Sequence, residues 1–180
     1  MRTRLIPPLA VALAALVVPA QAKNPEVSLT AISDLHFGTF MVFGNGARTV
    51  SASGAVTDVG IVALEDRAPS PARFTISYDR GNESRHGLDL VFELVMSAPA
   101  PVRQGGVEAR LYGYETDLPG AMRIDPGRPV RVNVPNCRTR VCSRSFQVGA
   151  RLDVNRRFGG AEIVVPIPMD VTVISAERQR

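Results

Sequence analysis

Two cysteines, two histidines and a late run of arginines are the residues of this 180-residue chain whose types and spacing invite chemistry. Cys137 and Cys142 are the only cysteines. In an oxidising compartment this pair is expected to close a disulfide that pins a local turn. A redox role would call for C-x-x-C spacing, which is absent. A zinc site would need histidines at ligand spacing, and His36 and His86 stand far from both sulfurs. Asp34 lies two residues from His36, and Ser84 lies two from His86, so each pair is a fragment of a nucleophile–base arrangement. Neither sits in a nucleophile-elbow motif. The acidic residues scatter singly, with no marked carboxylate pair. Calcium-loop and phosphate-loop spacings are missing too. The chain therefore reads as non-enzymatic, with no cofactor and no metal.

Two surface features remain. Arg138, Arg140 and Arg144 surround the cysteines. On a protruding disulfide loop they would form a cationic tip able to touch an anionic surface polymer; the plainer alternative is a solvated loop. Tyr112 and Tyr114 alternate at a strand end, and period two predicts that they share a face. There they would stack on a sugar ring or pack one edge of the core.

The elements that must position these residues are strands. Leu88, Leu90, Phe92, Leu94 and Met96 alternate with Asp89, Val91, Glu93 and Val95, which predicts one buried and one half-exposed face. Ile163 to Val173 alternates as well. Pro166 and Pro168 cannot donate ladder hydrogen bonds, so this run is expected at a sheet edge or at a bend between sheets. Further strands are predicted at 27–32, 36–43, 48–53, 56–64, 74–78, 107–112, 129–134 and 145–154. Turn signals separate them at Gly44-Asn45-Gly46, Asp79 to Asn82, Gln104 to Gly106, Leu118 to Gly120 and Asp125 to Gly127. No convincing amphipathic helix follows residue 22. Eight to ten short antiparallel strands in one domain, 23–180, imply an all-β, immunoglobulin-like sandwich.

The first 22 residues say where that domain works. Arg2 and Arg4 precede an apolar run from Leu5 to Val18, and Ala20-Gln21-Ala22 supplies a small-x-small cleavage pattern. This is the pattern of a secretory signal peptide. A membrane span would need about 20 apolar residues. Export to the periplasm, outer surface or medium is expected, with no membrane span after cleavage. Losing the two signal arginines lowers the formal charge from +4 to +2, too mild to argue for nucleic acid.

Several segments carry a family resemblance. Leu35 to Phe40 resembles the opening motif of the bacterial domain-of-unknown-function family 4402 (DUF4402). Ala72 to Ile76 is similar to its central strand, and Phe146 to Val154 to its glycine-containing strand. Phe158-Gly159-Gly160 with the last alternating run is similar to its close. The resemblance spans about Ser28 to Ile174. Ala150 replaces a family glycine, and Pro135 to Arg144 reads as an insertion between two family strands. The resemblance implies the sandwich of secreted fimbrial and spore-coat-U-like subunits, structural or adhesive and without a cofactor. Partners on that reading are other copies or pilus-type subunits joined by strand exchange, and a periplasmic chaperone. Val27, Leu29 and Ala31 alternate in the segment after the cleavage site. They form either a donor strand or the chain's own first strand. The alternative function is a self-contained periplasmic or extracellular carbohydrate- or ligand-binding module.

Overall fold

A computed structural model describes residues 23–64, 68–82, 86–160 and 164–179. The signal segment and Ser84 lie outside the described residues. The described chain is all-β. Its strands are β1 (Glu26–Ser33), β2 (Phe40–Val50), β3 (Val56–Ala63), β4 (Ala72–Asp79), β5 (Leu88–Met96), β6 (Val102–Gln104), β7 (Val107–Thr116), β8 (Arg123–Ile124), β9 (Pro129–Cys137), β10 (Val141–Arg156) and β11 (Met169–Arg178). They form two antiparallel sheets. One runs β11-β5-β9; the other runs β1-β4-β10-β2-β3, with β6, β7 and β8 attached through β7.

The long strand β10 organises the larger sheet. Its first half, Val141 to Val148, pairs with β4. Its second half pairs with β2 on that same side and with β7 on the other. The first half thus belongs to a layer facing β11-β5-β9, and the second half forms the centre of an extension. The main core lies between the layers. The alternation of β5 is realised: Leu90, Phe92, Leu94 and Met96 are at most 1% exposed, while its other face is half-buried. Each such burial contributes about 1.5–3 kcal/mol relative to exposure. From the opposite layer come Ile76, Phe146 and Val148, with Phe74 stacked on Phe146 at 5.7 Å and Tyr78 edge-on to Phe92 at 6.3 Å. A second apolar cluster of Val42, Val107, Ala109, Leu152 and Val154 lies under the extension.

Three elements depart from the sequence reading. The predicted strands 36–43 and 48–53 are one strand, β2, which runs through Gly44-Asn45-Gly46. Asn45 and Gly46 are held in register against Asn155 and Val154 of β10. Gly46 is there for closeness rather than reversal, because a Cβ would meet Ile61 and Val42 side chains at 2.8 Å. His36 lies before β2 and makes an isolated bridge with Ser70. The last strand begins at Met169 and continues to Arg178; Val164 to Pro168 are not in a strand. Pro168 offers its carbonyl to the Ser97 amide at 3.0 Å but has no N–H to return. As Pro166 and Pro168 suggested, β11 is an edge strand, pairing only with β5.

Candidate functional site

The outer face of the extension, formed by β7, β10, β2 and β3, gathers the most varied exposed chemistry. On β7 the side chains of Val107, Ala109 and Leu111 turn inward, and those of Glu108, Arg110 and Tyr112 turn outward. Between Gly149 and Arg151 of β10 the register slips, so that Gly113 and Tyr114 together stand opposite Ala150. Gly113 takes φ 61°, the left-handed conformation that glycine adopts without strain. This bulge reverses the parity of the strand. Tyr112 remains outside at 40% exposure, whereas Tyr114 is in the core at 3%. The expectation that both tyrosines share a face is therefore corrected. Burial pushes the Tyr114 phenol up to about 12.

Around Tyr112 the outward side chains are ion-paired. Arg151 Nε donates to Asp153 Oδ1 at 3.1 Å, and the Arg151 guanidinium lies 5.5 Å from the Tyr112 ring centre. Partial burial raises the Tyr112 phenol, with the neighbouring Asp153 acting in the same direction. Glu108 accepts from Arg103 at 3.1 Å and from Arg110 at 3.0 Å, and these bonds hold its carboxyl below the usual range. Beside them lies a shallow depression of about 470 Å³, floored by Gly46, Ala47 and Val59 and rimmed by Glu108, Arg110, Arg151, Asp153, Asn45 and Asn155.

The same face becomes apolar towards β3. Met41, Phe43, Val59, Val62 and Leu64 are all exposed there, Phe43 at 79%. Among the described residues strand β3 pairs only with β2, and all but one of its residues are exposed. It contains no proline and no lysine. Its single charge, Asp58, is turned back on the buried Arg48. Edge strands are usually blunted by such residues, as on β9, with Pro129 and Arg131, and on β11, with Asp170, Glu177 and Arg178; the edge strand β1 carries only Glu26.

The remaining sequence candidates are placed as follows. Cys137 and Cys142 are disulfide-bonded, with Cα atoms 5.7 Å apart. The bond does not close a protruding loop. It spans the tight crossing from β9 in one sheet to β10 in the other. Arg80, 1% exposed, braces that crossing: its backbone N–H donates to Arg140 O at 2.9 Å, and its side chain donates to the carbonyls of Cys137, at 3.1 Å, and His86. The three arginines are all exposed and have different neighbours. Arg138 donates to Asn136 at 2.6 Å, and Arg140 lies 3.4 Å from Asp79. Arg144 stands in register beside the buried Ile76 on the half of β10 that pairs on one side only, where an exposed charge disfavours edge pairing. Among the described residues no three His, Cys, Asp or Glu side chains converge as a metal site.

Val27, Leu29 and Ala31 lie in β1, in register with Tyr78, Ile76 and Phe74 of β4. Val27 and Leu29 pack against the core, and Ala31 is exposed. The start of this strand is latched. Lys23 Nζ donates to Asp79 Oδ2 at 2.7 Å, and Gly81 N donates to Asp79 Oδ1 at 2.9 Å. A Cβ on Gly81 would meet the Lys23 carbonyl at 2.0 Å, so only glycine lets the two backbones approach this closely. These bonds, the Lys23 one first, lower the Asp79 carboxyl from 3.8 to about 2. A lowered folded-state value stabilises above the unfolded one and is lost as pH falls through the folded one. The protection of β1 amides, taken relative to their intrinsic exchange rate, is therefore expected to fall as pH drops from 3.8 towards about 2. In Asp79→Asn it should be low throughout and show no step in that window.

Sequence reasoning missed Arg48 and Arg80. Arg48 had a legible signal, since it shares parity with the apolar Val50 and Ala52 in the predicted strand 48–53. Arg80 had none, being placed by a turn.

Two antiparallel sheets around a shared core, with an outer face of paired charges and bare apolar residues, define an all-β sandwich whose conspicuous features are surfaces. The chain belongs to the DUF4402 family, a domain of unknown function, whose model matches residues 27–160. The match includes the cysteine crossing and ends before β11. No curated protein and no solved structure matches the chain.

Proposed function

We propose that this is an exported bacterial structural or adhesive subunit that works by assembly and surface binding, without catalysis. The observation that carries the reading is β3. A strand five of whose eight residues are apolar, bare on nearly every side chain and open along one edge, is what an assembling sheet presents to another strand. Among the described residues β1 pairs on one side only and buries little beyond Val27 and Leu29. An arm that can exchange and an edge that can receive are the two halves of a strand-addition contact between copies, or with pilus-type subunits and a periplasmic chaperone.

Light scattering on the mature chain, 23–180, tests this. Concentration-dependent oligomers are expected. Val62→Lys should weaken them. A variant lacking Lys23 to Ala31 should be a folded monomer that accepts the Lys23–Ala31 peptide. A full chain that stays monomeric at every concentration, with the truncated form unfolded, would overturn assembly. A self-contained ligand-binding module is the second reading, and the polar depression beside Tyr112 favours it.

A further inference from the structure

We infer that the depression between β7, β10 and β2–β3 is a binding site for a neutral saccharide. The inference deepens the second reading, that of a ligand-binding module, and rests on it. Three features of the lining select the ligand.

The first is charge. Glu108, Arg110, Arg151 and Asp153 supply two charges of each sign. Both carboxylates are already engaged, Glu108 by Arg110 at 3.0 Å and by Arg103 from outside the lining at 3.1 Å, and Asp153 by Arg151 at 3.1 Å. An anionic ligand would have to lie against two carboxylates, and a cationic one against two guanidiniums. Each would meet a like charge or break an existing pair, which costs affinity. An uncharged ligand meets neither penalty.

The second is hydrogen-bonding pattern. Each ion pair sets a fixed donor and a fixed acceptor side by side, and Asn45 and Asn155 add amides that carry both on one planar group. Vicinal ring hydroxyls are likewise paired donors and acceptors. They can bridge an arginine and its carboxylate without separating them. A purely apolar ligand would leave these groups dehydrated and unmatched.

The third is the floor. Gly46, Ala47 and Val59 are small and apolar, and Val59 is 58% exposed. They suit the C–H face of a sugar ring, and small residues leave the depth for it. Tyr112 stands beside the rim, with Arg151 over its ring, where a second sugar unit would run. A volume of about 470 Å³ falls within the range of small-molecule sites.

The test is calorimetric titration of the mature chain with maltohexaose, cellohexaose and chitohexaose, and with hexagalacturonate as the acidic counterpart. At least one neutral hexasaccharide is expected to bind. Asp153→Ala and Asn155→Ala should each weaken it by about 10-fold or more, with thermal midpoints unchanged because both side chains are at the surface. Tyr112→Ala is expected to weaken hexasaccharides more than the matching disaccharides. Binding of none of the three neutral sugars overturns the inference. So does preference for hexagalacturonate, or neutral binding that survives both rim variants. Val62→Lys separates this result from assembly: it should change oligomer size and leave sugar affinity alone, so either claim can fail without the other.

Discussion

Gly149→Ala is expected to cost about 3 kcal/mol or more, the upper end of what overpacking a core position does, and to leave little folded protein at physiological temperature. The reason lies in how β10 changes partners. Val148 still pairs with Ala72 of β4, and Ala150 already pairs with Val50 of β2. Gly149 sits at the junction, where the end of β2 crosses close by. A Cβ there would lie 2.2 Å from the Val50 carbonyl oxygen, 2.3 Å from Ser51 C and 2.5 Å from Ala52 N. All three are backbone atoms, so no rotamer change relieves the clash. Either β2 or β4 must leave β10, and with it one of the two clusters that β10 joins. Gly44→Ala is the matched control, since a Cβ there meets nothing within 4 Å. Urea midpoints of the two variants against the parent chain decide the matter. A Gly149→Ala chain as stable as Gly44→Ala would mean that β2 does not approach β10 this way.

That junction marks the boundary of what the sequence makes legible. Alternation in β5 is a local property of the chain, and its buried face could be named residue by residue. The prolines before β11 announced an edge for an equally local reason, their missing N–H groups. Gly44-Asn45-Gly46 misled because turn propensity is also local, whereas the fate of those residues is set by a strand more than 100 positions away. The cysteine pair was legible as a bond but not as a tie between sheets, because nothing in C-x4-C spacing says which sheet each flank joins.

The candidate surface was half legible for the same cause. Tyr112 was legible only together with Tyr114, as an aromatic that either stacks on a ligand or packs the core edge, and its neighbours were not legible at all. Glu108, Arg110, Arg151 and Asp153 come together only through the pairing of β7 with β10. Tyr114 was misplaced by a single bulge, since one extra residue in a strand flips every side chain beyond it. Arg138, Arg140 and Arg144, neighbours in sequence, take separate places: beside Asn136, beside Asp79 and opposite Ile76 in the β4–β10 register.

Asp58→Ala is expected to destabilise the chain by about 2–3 kcal/mol, short of the roughly 3–5 kcal/mol for a fully buried pair, because Arg48 is buried but the Asp58 side chain is 29% exposed. Arg48 is 2% exposed and points under the extension. Asp58 receives it with both oxygens, at 2.6 Å from Nε and 2.7 Å from Nη2. Arg48 Nη1 donates to Phe37 O at 2.8 Å, and the guanidinium lies 5.0 Å from the Phe40 ring centre. Alanine at 58 leaves this charge buried without its counterion. Arg48→Met with Asp58→Val should recover most of the loss, because well-packed apolar replacements of a buried pair are often neutral. Denaturant midpoints of the single and double variants test the coupling; a double variant no better than Asp58→Ala would show that the Arg48 contacts to Phe37 and Phe40 matter more than the pair. The same bond ties β3 to the sheet, since Asp58 and Arg48 are directly opposed in register and β3 packs few of its side chains elsewhere. Asp58→Ala should therefore speed amide exchange in Val56–Ala63 ahead of β5. Beyond its ladder to β2, β3 is held by this ion pair and by Ile61 packed on the second cluster, so loss of the pair should be felt along the whole strand.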